Sequence, residues 1–285
     1  MMILVDLNQV MISNMMMQMG NHQNAQIDEN MLRHMILNSL RFNRQKFHRE
    51  FGELLICADD KNYWRRQVYA YYKAGRRKHR EESEMDWNAI FQALNKIRDE
   101  LKEFFPYRVI QIETAEADDI IGTIVHEEGE MLNTGSNPIL ILSGDKDYIQ
   151  LHKYANVKQY DPTRKRWISN SNPERYLHEH ILRGDKGDGV PNVLSPDNTF
   201  VMNSRQRPIT KKRLLEWSDI NNMDDEVKRN YFRNKAVIDL SAVPGEIKAR
   251  IMEEYEAENP KDRSQLLNYF IKNKLRNLME SISEF

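Results

Sequence analysis

Apolar residues along the chain fall into two kinds of pattern. Short apolar runs occur at Met2-Ile3-Leu4-Val5, Leu54-Leu55-Ile56-Cys57, Val109-Ile110-Gln111-Ile112 and Ile139-Leu140-Ile141-Leu142. Such runs suit strands covered on both faces of a sheet. Between them, apolar positions recur at helical spacing. Met31, Leu32, Met35, Ile36 and Leu40 mark one helix. Trp87, Ile90, Phe91, Leu94, Ile97 and Leu101 mark a second, with Ser83 or Asp86 as its cap. Ile120, Ile121, Ile124 and Val125 mark a third. Strands alternating with helices predict an α/β fold with a mainly parallel sheet flanked by helices.

The pattern changes near residue 170. Helical periodicity takes over at Pro173–Leu182, Lys211–Trp217, Ile247–Tyr255 and Gln265–Leu278. Ala236-Val237-Ile238 is the one further strand candidate, and residues 194–208, with Pro196, Asp197, Asn198 and Pro208, read as a loop. The expected organisation is therefore a sheet domain over residues 1–170 and a smaller helical domain over 171–285 packed on it. The methionine-dense stretch Met11–Met19 reads as adaptable core packing.

Composition alters this picture little. Charged residues make up 30% of the 285, yet the formal net charge is −1, so any case for a nucleic-acid partner must rest on segregated charge. The single cysteine, Cys57, allows no intramolecular disulfide and reads as a small buried hydrophobe, as suits a reducing cytosol. No stretch approaches the ~18 apolar residues of a membrane span. The start of the chain lacks a basic leader, so a cytoplasmic protein without a membrane partner is expected.

The informative pattern is where acids fall. Asp6 follows the first strand run, Asp59 and Asp60 the second, Glu116, Asp118 and Asp119 the third, and Asp145 and Asp147 the fourth. Ligands of open α/β sheets bind outside the carboxyl ends of the strands, so parallel strands would place all these acids on one rim. One aspartate after a strand is commonly a helix cap or turn residue. Four strand ends that all deliver acids point instead to a metal site. Oxygen ligands without a His/Cys set favour Mg²⁺, or Mn²⁺ in its place, over zinc. Two such ions about 4 Å apart suit phosphodiester hydrolysis.

Charge is segregated over residues 61–80. Lys61, Arg65, Arg66, Lys73, Arg76, Arg77, Lys78 and Arg80 occur without one acid, interleaved with Tyr63, Trp64, Tyr69, Tyr71 and Tyr72. Cations neutralise phosphates and rings stack on unpaired bases, so the segment reads as a nucleic-acid surface beside the rim. Glu81, Glu82, Glu84 and Asp86 close it. A second basic cluster, Lys211-Lys212-Arg213, follows the glycine-rich turn Gly184-Asp185-Lys186-Gly187-Asp188-Gly189. A helix–turn–helix of this kind presents backbone groups to duplex phosphates, although Asp185 and Asp188 could also simply make the turn.

These residues resemble the flap endonuclease and 5′-exonuclease family over nearly the whole chain. The most specific elements are Tyr63-Trp-Arg-Arg66, Tyr71-Tyr-Lys73, Arg80-Glu-Glu-Ser83, Glu116-Ala-Asp-Asp119, Leu151-His-Lys-Tyr154 with Asn156-Val-Lys-Gln159, and Gly184-Asp-Lys186. The resemblance implies a PIN-like domain with a helical arch at about 73–92, and a helix–three-turn–helix motif at about 175–217. It implies a structure-specific 5′ nuclease, both 5′–3′ exonuclease (ribonuclease H activity included) and flap endonuclease, removing RNA primers from lagging-strand fragments. In-line attack by ion-activated water would cut the strand. Two Mg²⁺ would be held by Asp6, Asp59, Glu116, Asp118 and Asp145 on one side and by Asp147, Asp185 and Asp188 on the other, partly through water. Asp119 is included with the metal residues, with support of those ligands from behind as its alternative role, and Asp60 is the alternative to Asp59.

Lys73 and Arg80 align with arch cations facing the scissile phosphate, acting in catalysis with Asp118 and Asp145. Nucleic acid would be held by Arg65, Arg66, Tyr72, Lys73, Arg76, Arg77, Lys78 and Arg80, and by Gly184, Gly187, Gly189, Lys211, Lys212 and Arg213. The implied partners are branched, nicked or flapped DNA and RNA–DNA duplexes, with a single-stranded-DNA-binding protein and a sliding clamp among replication proteins. A monomer is expected. The chain departs from the family pattern at Asp188-Gly189 (Asp-Asn in the family), at Asn192 (a glycine) and over Leu194–Arg207, which interrupts the usual short turn. Those departures bear on a potassium ion at the motif and on the duplex path. A PIN-type ribonuclease for single-stranded RNA would keep the rim without the helix–turn–helix, and a non-catalytic junction binder would lack the acids.

Overall fold

A computed structural model describes residues 1–19, 28–83, 85–131, 137–259 and 261–285. Six strands form one sheet: β1 (Met2–Asp6), β2 (Leu54–Cys57), β3 (Arg108–Ile110), β4 (Ile139–Leu142), β5 (Val157–Asp161) and β6 (Arg166–Ile168). Their spatial order is β3-β2-β1-β4-β5-β6. All pairs are parallel except the antiparallel hairpin of β5 and β6. The chain moves outward from β1 to β2 and β3 on one side and to β4 and β5 on the other. The carboxyl ends of β1 and β4 therefore flank the crevice where strand order reverses, which is where open α/β sheets bind ligands.

The helices are α1 (Leu7–Met19), α2 (Glu29–Phe51), α3 (Arg65–Val68), α4 (Gly75–Glu81), α5 (Trp87–Phe104), α6 (Ala117–Met131), α7 (Pro173–Arg183), α8 (Lys211–Glu216), α9 (Asp225–Ile238), α10 (Gly245–Glu256), α11 (Leu266–Lys272) and α12 (Arg276–Met279). Each sheet face is covered. On one face α1, α2 and α5 meet α11, α12 and the C-terminal Phe285 in a single apolar cluster. On the other, α6 and α10 pack over Leu4, Leu55, Cys57, Ile139 and Ile141. The apolar stripe of α5 explains its place: Ile90, Ala93, Leu94, Ile97 and Leu101 are buried, and each large side chain contributes roughly 1.5–3 kcal/mol. Asp86 caps this helix by accepting from the Ala89 amide at 3.0 Å.

A third cluster joins α7 and α9 to Tyr69 and Tyr72 from the basic segment. It locks the base of that segment onto the helices after residue 170. Cys57 is buried as expected. Met11 and Met15 are core residues, whereas Met16 and Met17 are exposed, so core packing accounts for only part of the methionine run.

Several expected elements differ. Ala236-Val237-Ile238 is the end of α9, not a strand: Asp224 caps the helix, and Val227, Tyr231, Val237 and Ile238 bury along one face. The pattern expected over Gln265–Leu278 as one helix is broken by Lys274, whose φ of 56° ends α11. The hairpin of β5 and β6 has no apolar run to predict it. β5 buries Gln159, whose side-chain amide donates to the Ser143 carbonyl at 2.9 Å, so a polar residue fills a core position with its donors satisfied.

Candidate metal centre and nucleic-acid interface

The strand ends bring the expected acids to one rim. Asp6, the last residue of β1, accepts from the Gln9 amide at 3.1 Å, the Ser143 hydroxyl at 3.2 Å and the Tyr148 hydroxyl at 3.0 Å. Burial, with Asp59 and Asp145 nearby, pushes its carboxyl up to about 7. Asp59 accepts from Asn8 Nδ2 at 3.0 Å and from the Ala117 amide at 2.8 Å. Asp60 turns away to the Thr114 and Asn62 amides, so it makes the loop and Asp59 faces the rim. Asn8, Ser143 and Tyr148 carry no sequence signal of their own. They hold the acids from behind.

Around Glu116 the charge is balanced from within. Arg65, 1% exposed, places Nη1 2.9 Å from Glu116 Oε2 and Nη2 2.8 Å from Asp119 Oδ1 and 3.7 Å from Asp118. Lys73 forms an ion pair with Glu116 Oε1 and lies 3.7 Å from Asp188. Burial opposes ionisation of Glu116, but Lys73 and Arg65 outweigh it and hold its carboxyl below the usual range. Asp118 is different. Burial raises its pKa well above normal and Arg65 offsets only part of that. Its Oδ1 accepts the Asp119 amide at 2.9 Å.

Asp119 is turned inward. It is 0% exposed and accepts from Trp64 Nε1 and the Glu116 amide, each at 2.9 Å. With Arg65 on its other oxygen it positions Glu116 from behind, while an oxygen of its carboxylate stays within 4.8 Å of ligand atoms of Glu116 and Asp118.

The other side of the rim has acids with few cations. Asp145 accepts from the Asp147 amide at 3.0 Å, and Asp185 from the Asp188 amide at 3.0 Å. Burial, then Asp145, Asp185 and Asp188, push Asp147 well above its usual pKa. Burial also raises Asp145. Asp188 is held by Arg76 at 2.6 Å and by the Tyr72 hydroxyl at 3.0 Å. Its carbonyl accepts the Lys73 amide at 2.7 Å, so the two sides share one wall.

Two sets of ligand atoms lie within 4.8 Å of one another: Glu116, Asp118 and Asp119, and Asp147, His180 and Asp185. Sequence reasoning missed His180; a histidine in the last turn of α7, just before Gly184-Asp185, is the only signal it leaves. The donor set fits hard divalent cations. It is dominated by carboxylates, and those of Asp118, Asp145 and Asp147 are disfavoured as anions without added positive charge.

The basic segment splits in two. Arg65 and Tyr72 were expected to bind nucleic acid, but both are buried, and their polar atoms serve Glu116 and its neighbours. Trp64 and Tyr69 are buried too, so they offer no stacking face. Tyr63 and Tyr71 remain partly exposed. Arg66, Arg76, Arg77 and Lys78 are exposed. Lys73, in the left-handed region at φ 55°, lies two residues before α4 and turns the chain beside Glu116 and Asp188. Arg80 makes no ion pair with the rim among the described residues; it stacks over Phe91 at 5.2 Å and donates to the Arg76 carbonyl. Glu84, expected to help close the segment, lies outside the described residues.

In the turn after α7, Gly184 has φ 67°, and a Cβ there would lie 2.3 Å from the Val190 carbonyl oxygen. Gly189, at φ 74°, brings the turn against the Tyr71 carbonyl, and Gly187 lies between them beside the Arg76 side chain. Asn192 closes the loop expected to interrupt the motif. Its side-chain oxygen accepts from the Leu194 amide, its backbone amide donates to Gln206 Oε1 at 2.7 Å, and its Nδ2 donates to the Arg207 carbonyl at 2.7 Å. A glycine there would lose the side-chain bonds. Lys211, Lys212 and Arg213 are exposed at the start of α8, and none is paired with a carboxylate among the described residues. No helix among the described residues is long and apolar enough to cross a membrane.

Residues 2–181 match the family described as 5'-3' exonuclease, N-terminal resolvase-like domain, and residues 171–285 match T4 RNase H, C terminal. The ribonuclease H of Enterobacteria phage T4 is 35% identical over 297 residues, which span 99% of this chain and 95% of that protein. Flap endonuclease Xni of Shewanella piezotolerans is 29% identical over 157 residues, 52% of this chain and 56% of that one. A bacteriophage T5 flap endonuclease variant, solved with DNA and metal ions, superposes with a TM-score of 0.63 at 16% identity, over 90% of this chain and 99% of that one. The T5 5'-exonuclease with bound zinc superposes at 0.61 and 16% identity, over 89% and 97%. At such identities these structures show the shared fold.

Proposed function

The chain belongs to the 5′-3′ exonuclease family as a structure-specific 5′ nuclease, and we propose that it uses two Mg²⁺ ions to cut the 5′ strand of branched, nicked or flapped duplexes. Removal of RNA primers from RNA–DNA duplexes is the proposed task, as the name of its T4 relative suggests. The observation that carries the reading is the set of acids at the strand ends beside an exposed basic helix.

Asp6, Asp59, Glu116, Asp118 and Asp145 would hold one ion, and Asp147, Asp185 and Asp188 would hold the other or orient its water. Bound there, the ions supply the positive charge that activates water and stabilises the leaving oxygen of a phosphodiester. Lys73 stands at the rim, paired with Glu116 and near Asp188. A phosphate entering the site competes for that ammonium and draws it to the developing charge. Arg80 reaches the same phosphate only by leaving Phe91, so its part belongs to the substrate complex. Arg66, Arg76, Arg77 and Lys78 would track the strand backbone, with Tyr63 and Tyr71 as the accessible rings. Gly184, Gly187 and Gly189 with Lys211, Lys212 and Arg213 would grip duplex phosphates. In this reading residues 1–170 supply most of the cutting site, and residues 171–285 add Asp185 and Asp188 to it and hold the duplex.

A 5′-labelled flapped duplex with Mg²⁺ tests the reading. Wild type should release short 5′ products and leave a linear single strand largely intact. Asp145→Asn should cut slower by on the order of 10³-fold while still binding the junction. Equal cutting of the linear strand would favour a single-strand ribonuclease; binding without cutting in Mg²⁺ or Mn²⁺ would reduce the protein to a junction binder.

A further inference from the structure

Among the described residues whose ligand atoms cluster at the rim, one is not an acid. His180 projects from the last turn of α7 between Asp147 and Asp185, with Nδ1 3.5 Å from Asp147 Oδ1 and Nε2 3.4 Å from Asp185 Oδ2. Both separations exceed the ~2.7–2.9 Å of a charge-assisted hydrogen bond. Nδ1 is shut off from solvent and has no hydrogen-bond partner among the described residues. The ring is steadied from one side by Tyr176, edge-on at a centroid distance of 5.9 Å. An imidazole nitrogen buried beside a carboxylate that itself lacks a compensating cation is a ligand atom awaiting an ion. Histidines that bind metal commonly donate the other ring N–H to a carboxylate, which fixes tautomer and orientation. Asp185 stands where that partner belongs, and its own second oxygen is held by the Asp188 amide.

We propose that His180 Nδ1 is a direct ligand of the divalent ion on the Asp147 side, oriented by Asp185 through Nε2–H. This rests on the two-ion reading and adds a nitrogen to a site otherwise made of oxygens. Its consequence is selectivity. A nitrogen donor favours first-row transition ions, the later ones most, over Mg²⁺, which prefers oxygen. The Asp147 side therefore retains the transition metals more strongly than the Glu116 side, where no histidine stands among the described ligand set.

The experiment is pulsed electron paramagnetic resonance of the full chain loaded with Mn²⁺, supported by calorimetric titration of Mn²⁺ and Mg²⁺. Wild type should show the nuclear modulation of a directly coordinated imidazole nitrogen. His180→Gln, with its fold checked by circular dichroism, should lose that modulation and bind Mn²⁺ about 10-fold more weakly, with a smaller change for Mg²⁺. Mn²⁺ bound to wild type without imidazole modulation would overturn the assignment and leave the nuclease reading standing. A chain that takes up no Mn²⁺ at all would overturn both. Because the wild-type spectrum alone decides the point, an unstable variant does not blunt the test.

Discussion

The two sides of the acidic rim are built from the same residue type and solve the problem of crowded negative charge in opposite ways. Around Glu116 the protein supplies its own cations: Arg65 reaches Glu116 and Asp119, and Lys73 reaches Glu116 from above. Around Asp145 and Asp147 no arginine or lysine forms an ion pair among the described residues; Lys73 acts on Asp145 only from a distance, and the one basic group touching Asp147 is His180. On this side Lys73 and Arg76 pair only with Asp188, at the border. One side is largely paired before any ion arrives, Asp118 excepted. The other stays repulsive until one does. A site of this kind trades metal-free stability for affinity, because the strain of like charges is relieved only on loading.

Substitution of Arg65 should have the largest effect. Arg65→Met removes the cation from Glu116 and Asp119 while both remain buried, and breaking such a buried network typically costs about 3–5 kcal/mol. Urea unfolding in EDTA should show that loss. A cost under about 1 kcal/mol would mean that the Glu116 side is not held together by internal pairing.

The next effect is on pH. Asp6 has a folded pKa raised from 3.8 to about 7 by burial and by its acidic neighbours. Between those values the folded state keeps a proton that the unfolded state has lost. Stability of the metal-free chain should therefore fall as pH rises from about 4 to about 7, by up to about 4 kcal/mol from this group, and level off above. Asp59, Asp118, Asp145 and Asp147 shift in the same direction. Saturating Mg²⁺ should flatten the slope, since bound cations favour the ionised forms. Thermal midpoints across pH with and without Mg²⁺ check this, and a metal-free chain that gains stability over that window would contradict it.

A smaller effect separates cutting from holding. Replacing Lys211, Lys212 and Arg213 together by alanine should make the slope of log affinity against log salt for junction binding shallower, by about 1 for each phosphate no longer neutralised. Stability should be nearly unchanged, because all three are exposed.

Much of this arrangement was legible in the chain. Asp6, Asp59, Glu116, Asp118 and Asp145 sit at strand ends because each follows an apolar run, and a parallel sheet has only one carboxyl rim. What was not legible is which polar residues turn inward. Arg65 and Arg66 are neighbours in one basic run, yet Arg65 is sealed against Glu116 while Arg66 lies exposed over Tyr63 at 5.1 Å. Helical phase decides between them, and a four-residue helix carries too little periodicity to reveal its phase. Tyr69 and Tyr72 look like stacking platforms in sequence but pack into the cluster beneath α7 and α9, whose own burial depends on residues distant in sequence. The β5–β6 hairpin hid for a related reason: its buried Gln159 is satisfied by carbonyls of the β4 loop, a partner no local pattern discloses.

The contrast between the two sides is probed most directly by Asp147→Asn. This change removes a charge where no lysine or arginine compensates it and leaves side-chain volume almost unaltered. Urea unfolding should be measured for wild type and variant, each in EDTA and in saturating Mg²⁺. Without metal the variant should be more stable than wild type by roughly 1 kcal/mol, and it should gain less from Mg²⁺. A variant that is less stable in EDTA, or gains as much from Mg²⁺ as wild type does, would contradict the claim that the Asp147 side is left uncompensated for an ion to fill.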